Sequence, residues 1–289
     1  MIKTLTALFT IVDDFCNEFD NKWNQLKLSN KINSRNRNGQ MTQSEIMTIM
    51  IAFQLSDHRH FKGYFYFLHA NHSACFPNLV SYSRFVELTK GMLVPLIAFF
   101  NFVKDEPDGV SFIDSTAIRV CKTKRLFSHK VFKGLATRGK STMGWFFGFK
   151  LHLIINQNGA PVSFKMTKGN ADDRSVVEDL SKDLRGKIFG DKGYISKKLF
   201  KSLFTRGLHL VTSIKKNMKP QLMPLEDSDT LKKRGLIEGV FNIMKNLMHL
   251  EHSRHRSVLN FMNNIVGVVI GYCLKHLKIR DIASKKIES

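Results

Sequence analysis

The stretch Trp145-Phe-Phe-Gly-Phe-Lys-Leu-His-Leu-Ile-Ile155 decides the fold class of this 289-residue chain. Its residues alternate along the chain as in a β-strand, and they lead into Gln157-Asn-Gly159, a sequence typical of a tight hairpin turn. The segment from Ala160 to Thr167 then provides the returning strand. The middle of the chain is therefore predicted to form an antiparallel β-hairpin.

Strands and helices continue on both sides of this hairpin. Before it, Val110-Ser-Phe-Ile-Asp114 is a short strand-like run, and Ser115 to Cys121 continues as a second strand-like stretch. After it come a helix from Asn170 to about Leu184, a strand from Ile188 to Gly190, a helix from Lys197 to Phe204, a strand from Leu208 to Ile214, a helix around Glu238 and a last helix beginning near Ser257. The order βββαβαβ, followed by helices, predicts an α/β fold.

The chain before residue 104 is predicted to be all-helical. Apolar residues recur at helical spacing from Leu5 to Leu26, and Thr42-Gln-Ser-Glu45 is a capping box that opens the next helix. Ser81-Tyr-Ser-Arg84 begins either the recognition helix of a helix-turn-helix or an ordinary packed helix. We expect two domains, with residues 1–104 in the first and residues 105–289 in the second.

Two aspartates stand where an apolar run gives way to a more polar segment. Asp114 closes the run that begins at Val110, and Asp191 closes Gly186-Lys-Ile-Phe-Gly-Asp191. A carboxylate at a strand end is exposed while its strand stays buried, which is a common position for catalytic groups. Each aspartate taken alone is equally consistent with a turn former.

A glutamate lies farther along the chain, in Arg234-Gly-Leu-Ile-Glu238-Gly-Val-Phe-Asn-Ile-Met-Lys245. On a helix, Arg234, Glu238, Phe241 and Lys245 form one stripe. The stripe can hold a metal ion together with phosphates, or it can arise from ordinary charge pairing on a solvated helix. Three carboxylates without a neighbouring His or Cys favour magnesium or manganese as the ion.

Positive charge is in large excess, at a formal +21, and predicts a polyanionic partner such as nucleic acid. The stretch from Lys122 to Gly144 contains no Asp or Glu. Its cations are Lys122, Lys124, Arg125, Lys130, Lys133, Arg138 and Lys140. The stretch is either a DNA-binding segment that leads to Asp114 or a solvated loop.

The order of elements and the placement of the acids resemble the ribonuclease-H-like core of DDE transposases from bacterial insertion sequences. The motifs that carry the resemblance are Phe-Ile-Asp114-Ser, Gly148-Phe-Lys150-Leu-His152, Gly190-Asp191-Lys-Gly-Tyr194 and Arg234-(3)-Glu238-(6)-Lys245. The family signature places a tyrosine three residues before the arginine, where this chain has Leu231. The 46 residues between Asp191 and Glu238 leave no room for a large inserted domain.

The resemblance implies a site in which Asp114, Asp191 and Glu238 hold two Mg²⁺ or Mn²⁺ ions. It implies cleavage of DNA at element ends and transfer of the freed 3′-hydroxyl into target DNA. Residues 1–104 would then bind the terminal inverted repeats, and two copies of the chain would act together as a homodimer. A structure-selective nuclease of the same fold and a catalytically silent DNA-binding regulator are the alternatives.

Further cations are expected to contact DNA in that setting. The resemblance assigns Arg234 and Lys245 to phosphate binding or to the orientation of Glu238. Lys150, His152 and Lys192 are lesser candidates, and His152 is equally well interpreted as a buried histidine on a sheet face. The run from His252 to Arg256 adds Arg254 and Arg256 as DNA-facing charges.

Other features argue against a membrane, secreted or zinc-binding protein. The cysteines at 16, 75, 121 and 273 are too scattered for a disulfide framework, which fits a reducing cytosol. The resemblance implies a cytoplasmic protein associated with the bacterial nucleoid. The apolar stretch from Ile265 to Leu274 is too short to span a bilayer and is predicted to be a core helix. The histidines from His58 to His72, with Cys75, lack the spacing of a structural zinc site.

Overall fold

The computed structural model describes residues 2–29, 39–214, 217–218, 222–251 and 255–276. The chain divides into two compact units. The first unit contains Met1–Val103 together with Leu247–Ser289, and the second contains Lys104–Asn246. The fold is α/β, with a mixed sheet flanked by helices and a helical region at the amino terminus, as the sequence predicts.

The helical unit is built from α1 (Ile2–Ser29), α2 (Gln43–Gln54), α3 (Phe61–Asn71), α4 (Tyr82–Leu88), α5 (Leu93–Val103) and α10 (Val258–His276). The predicted capping box is present at the start of α2, where the Thr42 amide donates to Glu45 at 2.7 Å and the Glu45 amide donates to the Thr42 hydroxyl at 3.1 Å. These bonds satisfy amides that the first helical turn leaves without partners.

Helix α10 packs on α2 and α5 within the helical unit. Its residues from Ile265 to Leu274 are buried, as expected of a core helix. The sequence-based division placed this helix in the domain of residues 105–289, whereas its packing places it with the first unit. The physical reason is its apolar surface, which is covered by helices that come much earlier in the chain.

Two helical stretches, Tyr82–Val103 and Val258–Lys275, are long and apolar enough by composition to cross a membrane. Core helices of folded proteins meet the same criterion, and 67% of the Val258–Lys275 window is buried inside the protein. This composition is therefore weak ground for a membrane span.

The second unit contains a six-stranded sheet formed by β1 (Val110–Cys121), β2 (Thr137–Ser141), β3 (Gly144–Asn156), β4 (Pro161–Lys168), β5 (Gly186–Gly190) and β6 (Leu208–Thr212). The strand order is β2-β3-β1-β5-β6, and β4 also pairs with β3. Pairing is antiparallel among β1 to β4 and parallel from β1 through β5 to β6. One mixed sheet thus contains both the predicted hairpin, β3 and β4, and the later strands β5 and β6 that alternate with helices.

The remaining helices of this unit are α6 (Val177–Leu180), α7 (Lys197–Thr205), α8 (Leu225–Lys232) and α9 (Gly235–Asn246). Ile113 and Ile188 from the sheet lie in a buried cluster with Val177 from α6 and with Leu199 and Leu203 from α7. Helix α9 packs on β1.

The predicted hairpin turn is confirmed. The Asn156 amide donates to the Ala160 carbonyl at 3.0 Å, and the Asn156 side chain accepts from the amides of Asn158 and Ala160 at 3.0 Å each. Gly159 adopts a φ of +86°, which glycine accepts at low cost. The turn fixes the register of β3 against β4.

Two strand predictions were wrong. Val110 to Cys121 is one continuous strand, so Asp114 lies inside β1 and not at the end of a short strand. Residues 137–141, interpreted from sequence as part of a loop, form the strand β2. Thr137-Arg-Gly-Lys-Ser141 lacks apolar alternation, and its pairing with β3 supplies the order that its own sequence does not indicate.

Candidate active site

The parallel pairing of β1 with β5 brings two of the predicted acids together. Phe112 is level with Phe189 in this register, and their ring centroids are 5.8 Å apart. Asp114 and Asp191 each follow these phenylalanines by two residues. Because side chains alternate between the faces of a sheet with a period of two, both aspartates point to the face that carries the two rings.

Asp191 caps the short turn that follows β5. Its Oδ1 accepts from the Gly193 amide at 2.7 Å, so the turn-forming interpretation from sequence holds for this residue. A Cβ on residue 193 would lie 2.8 Å from that oxygen, so a side chain there would push the carboxylate out of this position. Within the described residues, the second carboxylate oxygen makes no hydrogen bond.

Glu238 is brought to the aspartates by α9. This helix buries Ile237, Val240, Phe241 and Met244. The Arg234 Nη2 donates to Glu238 Oε1 at 2.9 Å, and its Nη1 lies 3.4 Å from Asp114 Oδ2. One guanidinium therefore joins the carboxylate of the helix to the carboxylate of the central strand.

The predicted stripe of α9 is turned towards β1. The side chain of Phe241 is buried, and Lys245 Nζ donates to the carbonyl of Ala117 in β1 at 2.8 Å. Lys245 is thus used to fasten the helix to the strand. Arg234 and Glu238 pair at i,i+4, as the interpretation of ordinary charge pairing also expects, and Glu238 stays 60% exposed.

Asp114 has an unusual electrostatic environment. Burial raises the pKa of Asp114 to about 6; the Ser115 amide and Arg234 oppose this rise, and the charges of Asp191 and Glu238 add to it. The Asp114 side chain is 22% exposed, against 60% for Glu238. Three acidic groups therefore share one electrostatic site, and Asp114 is its most enclosed member.

The donor atoms suit a hard cation, but the present conformation does not assemble them around one. No three His, Cys, Asp or Glu side chains within the described ranges are close enough together to hold a metal ion. Arg234 lies between Asp114 and Glu238. Asp114 and Asp191 each bind a backbone amide through Oδ1, which orients Oδ2. Carboxylate oxygens of this kind are the ligands that Mg²⁺ and Mn²⁺ prefer.

The cations of the Lys122 to Lys140 segment are all exposed. Two of them lie close to an aromatic ring: Arg138 is 4.5 Å and Lys140 is 5.9 Å from the centroid of Trp145. The Trp145 side chain is itself 54% exposed. The β2–β3 hairpin therefore presents an aromatic platform with two cations held on it.

Lys150 and His152 lie on the other face of the sheet from Asp114, since their partners in β1 are Ala117 and Ser115. Lys150 Nζ donates to the carbonyl of Ala171 at 2.9 Å and to Asp173 Oδ1 at 2.8 Å. The His152 ring is fully buried and bonds to Thr167 at 2.8 Å, and burial lowers its pKa to about 4. This geometry favours a buried structural histidine and a structural ion pair for Lys150 over the predicted binding to DNA.

The remaining predicted DNA-binding cations are placed as follows. Lys192 is exposed in the turn directly after Asp191. Arg256 is exposed in the helical unit, and Arg254 lies outside the described residues.

Two residues of the sequence motifs were not assigned a role from sequence. Asp173 lies at the start of the helix predicted from Asn170 and was given no role of its own, although it pairs with Lys150. Tyr194 is 1% exposed, and its hydroxyl has no hydrogen-bond partner within the described residues. Burial, and next the charge of Asp114, raise the pKa of this tyrosine well above its ordinary range. Its position directly after Asp191-Lys-Gly was the available signal.

The protein is thus an α/β protein with a carboxylate site. Two adjacent parallel strands present aspartates to one face, and an arginine joins one of these aspartates to a glutamate on a packed helix. Residues 104–258, more than half of the chain, match the family model of the transposase DDE domain. The chain therefore belongs to the DDE transposase family.

The fold also has a solved counterpart. The chain is similar to the piggyBac transposase in a cryo-EM structure of its synaptic complex with hairpin DNA, with a TM-score of 0.52 and 12% sequence identity. The similarity covers 99% of this chain and 76% of that one. At this identity the likeness concerns the fold. No curated protein matches the chain.

Proposed function

We propose that this transposase, of the insertion-sequence type, cleaves DNA at the ends of its own element and joins the freed 3′-hydroxyl to target DNA. The observation that carries the proposal is the shared site of Asp114, Asp191 and Glu238 in a chain that belongs to the DDE transposase family. The mixed sheet with its flanking helices supports a ribonuclease-H-like core, in which such carboxylates would meet on the central strands.

Asp114, Asp191 and Glu238 would together hold two Mg²⁺ or Mn²⁺ ions. When bound, the ions lower the pKa of the attacking hydroxyl or water and stabilise the charge on the departing oxygen. Asp114 and Asp191 would keep their backbone hydrogen bonds, which orient the oxygens that face the ions.

Two displacements at phosphorus would then occur at one site. In the first, a water oxygen bonds to the phosphorus at the element end, the bond to the 3′-oxygen breaks, and that oxygen takes up a proton. In the second, this 3′-hydroxyl loses its proton and bonds to a phosphorus of the target, which releases a target 3′-hydroxyl. No covalent protein nucleophile is required, and Lys192 and Arg234 would bind phosphate oxygens.

The exposed cations from Lys122 to Lys140 support a DNA track on the face of the sheet that carries Asp114. In the β1–β3 register Asp114 is level with Leu153. Trp145 lies eight residues from Leu153 along β3, so its side chain points to the same face, about 27 Å away. At about 3.4 Å per base pair, this distance corresponds to roughly eight base pairs of duplex.

Two copies of the chain would be needed to hold two element ends. The similar piggyBac structure is that of a synaptic complex with hairpin DNA, which supports paired ends and a duplex DNA partner for this chain as well. Terminal inverted repeats in the DNA that flanks the coding sequence are expected to be the preferred ligand.

The test is the replacement Glu238→Gln. Glutamine keeps the shape of the side chain and removes its charge. Because the Glu238 side chain is 60% exposed, the substitution should not disturb folding, and a loss of cleavage would report on catalysis. In the presence of Mg²⁺ or Mn²⁺, the variant is expected to bind linear DNA that carries the flanking repeats and to show no strand cleavage.

Glu226→Gln is the matched control, because Glu226 is an exposed glutamate on the preceding helix. It is expected to cleave at the wild-type rate. Metal-dependent nicking by Glu238→Gln at the wild-type rate would refute the carboxylate mechanism. Cleavage by the wild-type protein without joining to a target plasmid would identify a nuclease, and binding without cleavage would identify a regulator.

A further inference from the structure

The guanidinium of Arg234 lies between two of the site's carboxylates. It bonds to Glu238 Oε1 at 2.9 Å and lies 3.4 Å from Asp114 Oδ2, so it pairs with one carboxylate from each of two elements. These are two of the three carboxylates proposed above as ligands. No metal-binding group of three such side chains exists within the described residues while the arginine is in this position.

The ion pairs of Arg234 are weak enough to be exchanged. The Glu238 side chain is 60% exposed, and an ion pair with an exposed group contributes little to stability because water screens it. The bond to Asp114 is long at 3.4 Å, and only one guanidinium nitrogen makes it. Arg234 also precedes the first residue of α9, Gly235, so its side chain can move without disturbing the helix.

The site nevertheless needs a positive charge. Asp114 is 22% exposed and lies close enough to Asp191 and Glu238 to be repelled by both. Metal-free protein without Arg234 would hold three like charges with no cation among them. The arginine therefore supplies to the metal-free site the kind of charge that a metal ion would supply to the loaded one.

We propose that Arg234 is a place-holding cation, which pairs with Asp114 and Glu238 in the metal-free protein and leaves both carboxylates when a divalent ion binds. This inference rests on the proposed function, because it takes the three carboxylates as the metal site. Arg234 is a positioning residue in this scheme: it keeps the carboxylates close together before loading, and it competes with the ion for them.

Competition has a consequence that a purely structural arginine would not have. Removing the guanidinium is expected to destabilise the metal-free protein and to tighten metal binding. The tightening is expected to be about tenfold, the equivalent of one charge-assisted hydrogen bond at the low end of its range. An arginine that only supports the fold would weaken metal binding when it is removed, because the ligands would lose their orientation.

The experiment measures Mn²⁺ binding to the purified full chain by electron paramagnetic resonance of the free ion, and thermal unfolding in EDTA. Arg234→Gln is expected to bind Mn²⁺ about tenfold more tightly than wild type and to unfold at a lower temperature in EDTA. Arg234→Lys should fall between the two, since an ammonium keeps the charge and lacks the planar fork that reaches two carboxylates.

Arg84→Gln is the matched control, because Arg84 is paired with Glu87 at 2.9 Å in the helical unit, outside the sheet unit that carries the three acids. It should leave Mn²⁺ affinity unchanged. Asp114→Asn should remove the binding and so identify the site.

Equal or weaker Mn²⁺ binding by Arg234→Gln, with binding still abolished by Asp114→Asn, would overturn the place-holding role and leave the proposed function intact. Mn²⁺ binding that does not depend on Asp114 would overturn both the place-holding role and the carboxylate mechanism. The two failures are therefore distinguishable.

Discussion

Replacing Asp114 by asparagine is expected to stabilise the metal-free protein at neutral and alkaline pH, although it removes a proposed metal ligand. Burial raises the pKa of this carboxyl to about 6, from an ordinary value of 3.8. The folded protein therefore holds the proton more tightly than the unfolded chain does. Above pH 6 the folded state must keep an enclosed negative charge, and asparagine removes that requirement.

The magnitude follows from the two pKa values. A shift from 3.8 to about 6 corresponds to roughly 3 kcal/mol of destabilisation at pH 8, when the carboxyl is ionised in both states. At pH 5 the carboxyl is protonated in the folded state and largely ionised in the unfolded one, and the cost falls to roughly half. The pKa of about 6 already includes the opposing effect of Arg234, which lies 3.4 Å away, so the loss of that ion pair is contained in the gain.

The assay is equilibrium urea unfolding in EDTA, followed by circular dichroism at pH 8 and pH 5. Asp114→Asn is expected to gain about 2–3 kcal/mol at pH 8 and clearly less at pH 5. Asp229→Asn is the control, since Asp229 is 70% exposed and pairs only with Lys232 among the described residues; it should change little. An Asp114→Asn protein less stable than wild type at pH 8, or equally altered at both pH values, would refute the electrostatic reasoning.

Three further predictions concern the DNA track and the sheet. Replacing Lys124, Lys130 and Lys133 by alanine should flatten the slope of log affinity against log salt concentration by about 0.9 for each phosphate that is no longer neutralised. An unchanged slope in an anisotropy titration would identify this segment as a solvated loop. Lys150→Met should lower the free energy of unfolding by about 1–3 kcal/mol, because Asp173 loses its partner, and should leave the salt dependence of DNA binding unchanged. Unchanged stability with a flatter salt dependence would assign Lys150 to DNA binding. Gly148→Ala should lower the free energy of unfolding in urea by about 3 kcal/mol or more, since its Cβ would lie 1.9 Å from the Ile118 carbonyl oxygen. In the control Gly63→Ala, in α3, the Cβ meets nothing within 4 Å and the protein should not be destabilised, so similar stabilities for the two variants would contradict the packing argument.

Local signals in the sequence were interpreted correctly. The capping box of Thr42 and Glu45 involves residues three apart, and the hairpin turn from Asn156 to Ala160 involves residues four apart. Interactions of this range depend on the side chains and backbone of one short segment, so the segment itself specifies them. The α/β class followed from the same kind of signal, repeated along the chain.

Elements that depend on distant partners were missed or misplaced. Strand β2 is polar at every position except the central Gly139, and it is held by pairing with β3. Gly139 at its centre fits against Gly169 and Phe146, where a Cβ would lie 2.1 Å from the Gly169 carbonyl oxygen. Helix α10 was recognised as a core helix, but the surfaces that cover it, on α2 and α5, are not indicated by its own sequence.

The amino-acid sequence specifies which groups are present: the three acids in their motifs, the excess of cations, and the period of each strand and helix that carries them. Which of these groups meet depends on tertiary contacts. The register of β1 against β5 pairs Phe112 with Phe189, two residues before Asp114 and Asp191, and the alternation of side chains turns Lys150 and His152 to the opposite face from Asp114. Arg234 reaches Asp114 across 120 residues of chain, because the buried face of α9 packs on β1. An interaction of that range depends on the packing of whole elements against one another, and no short stretch of sequence specifies it.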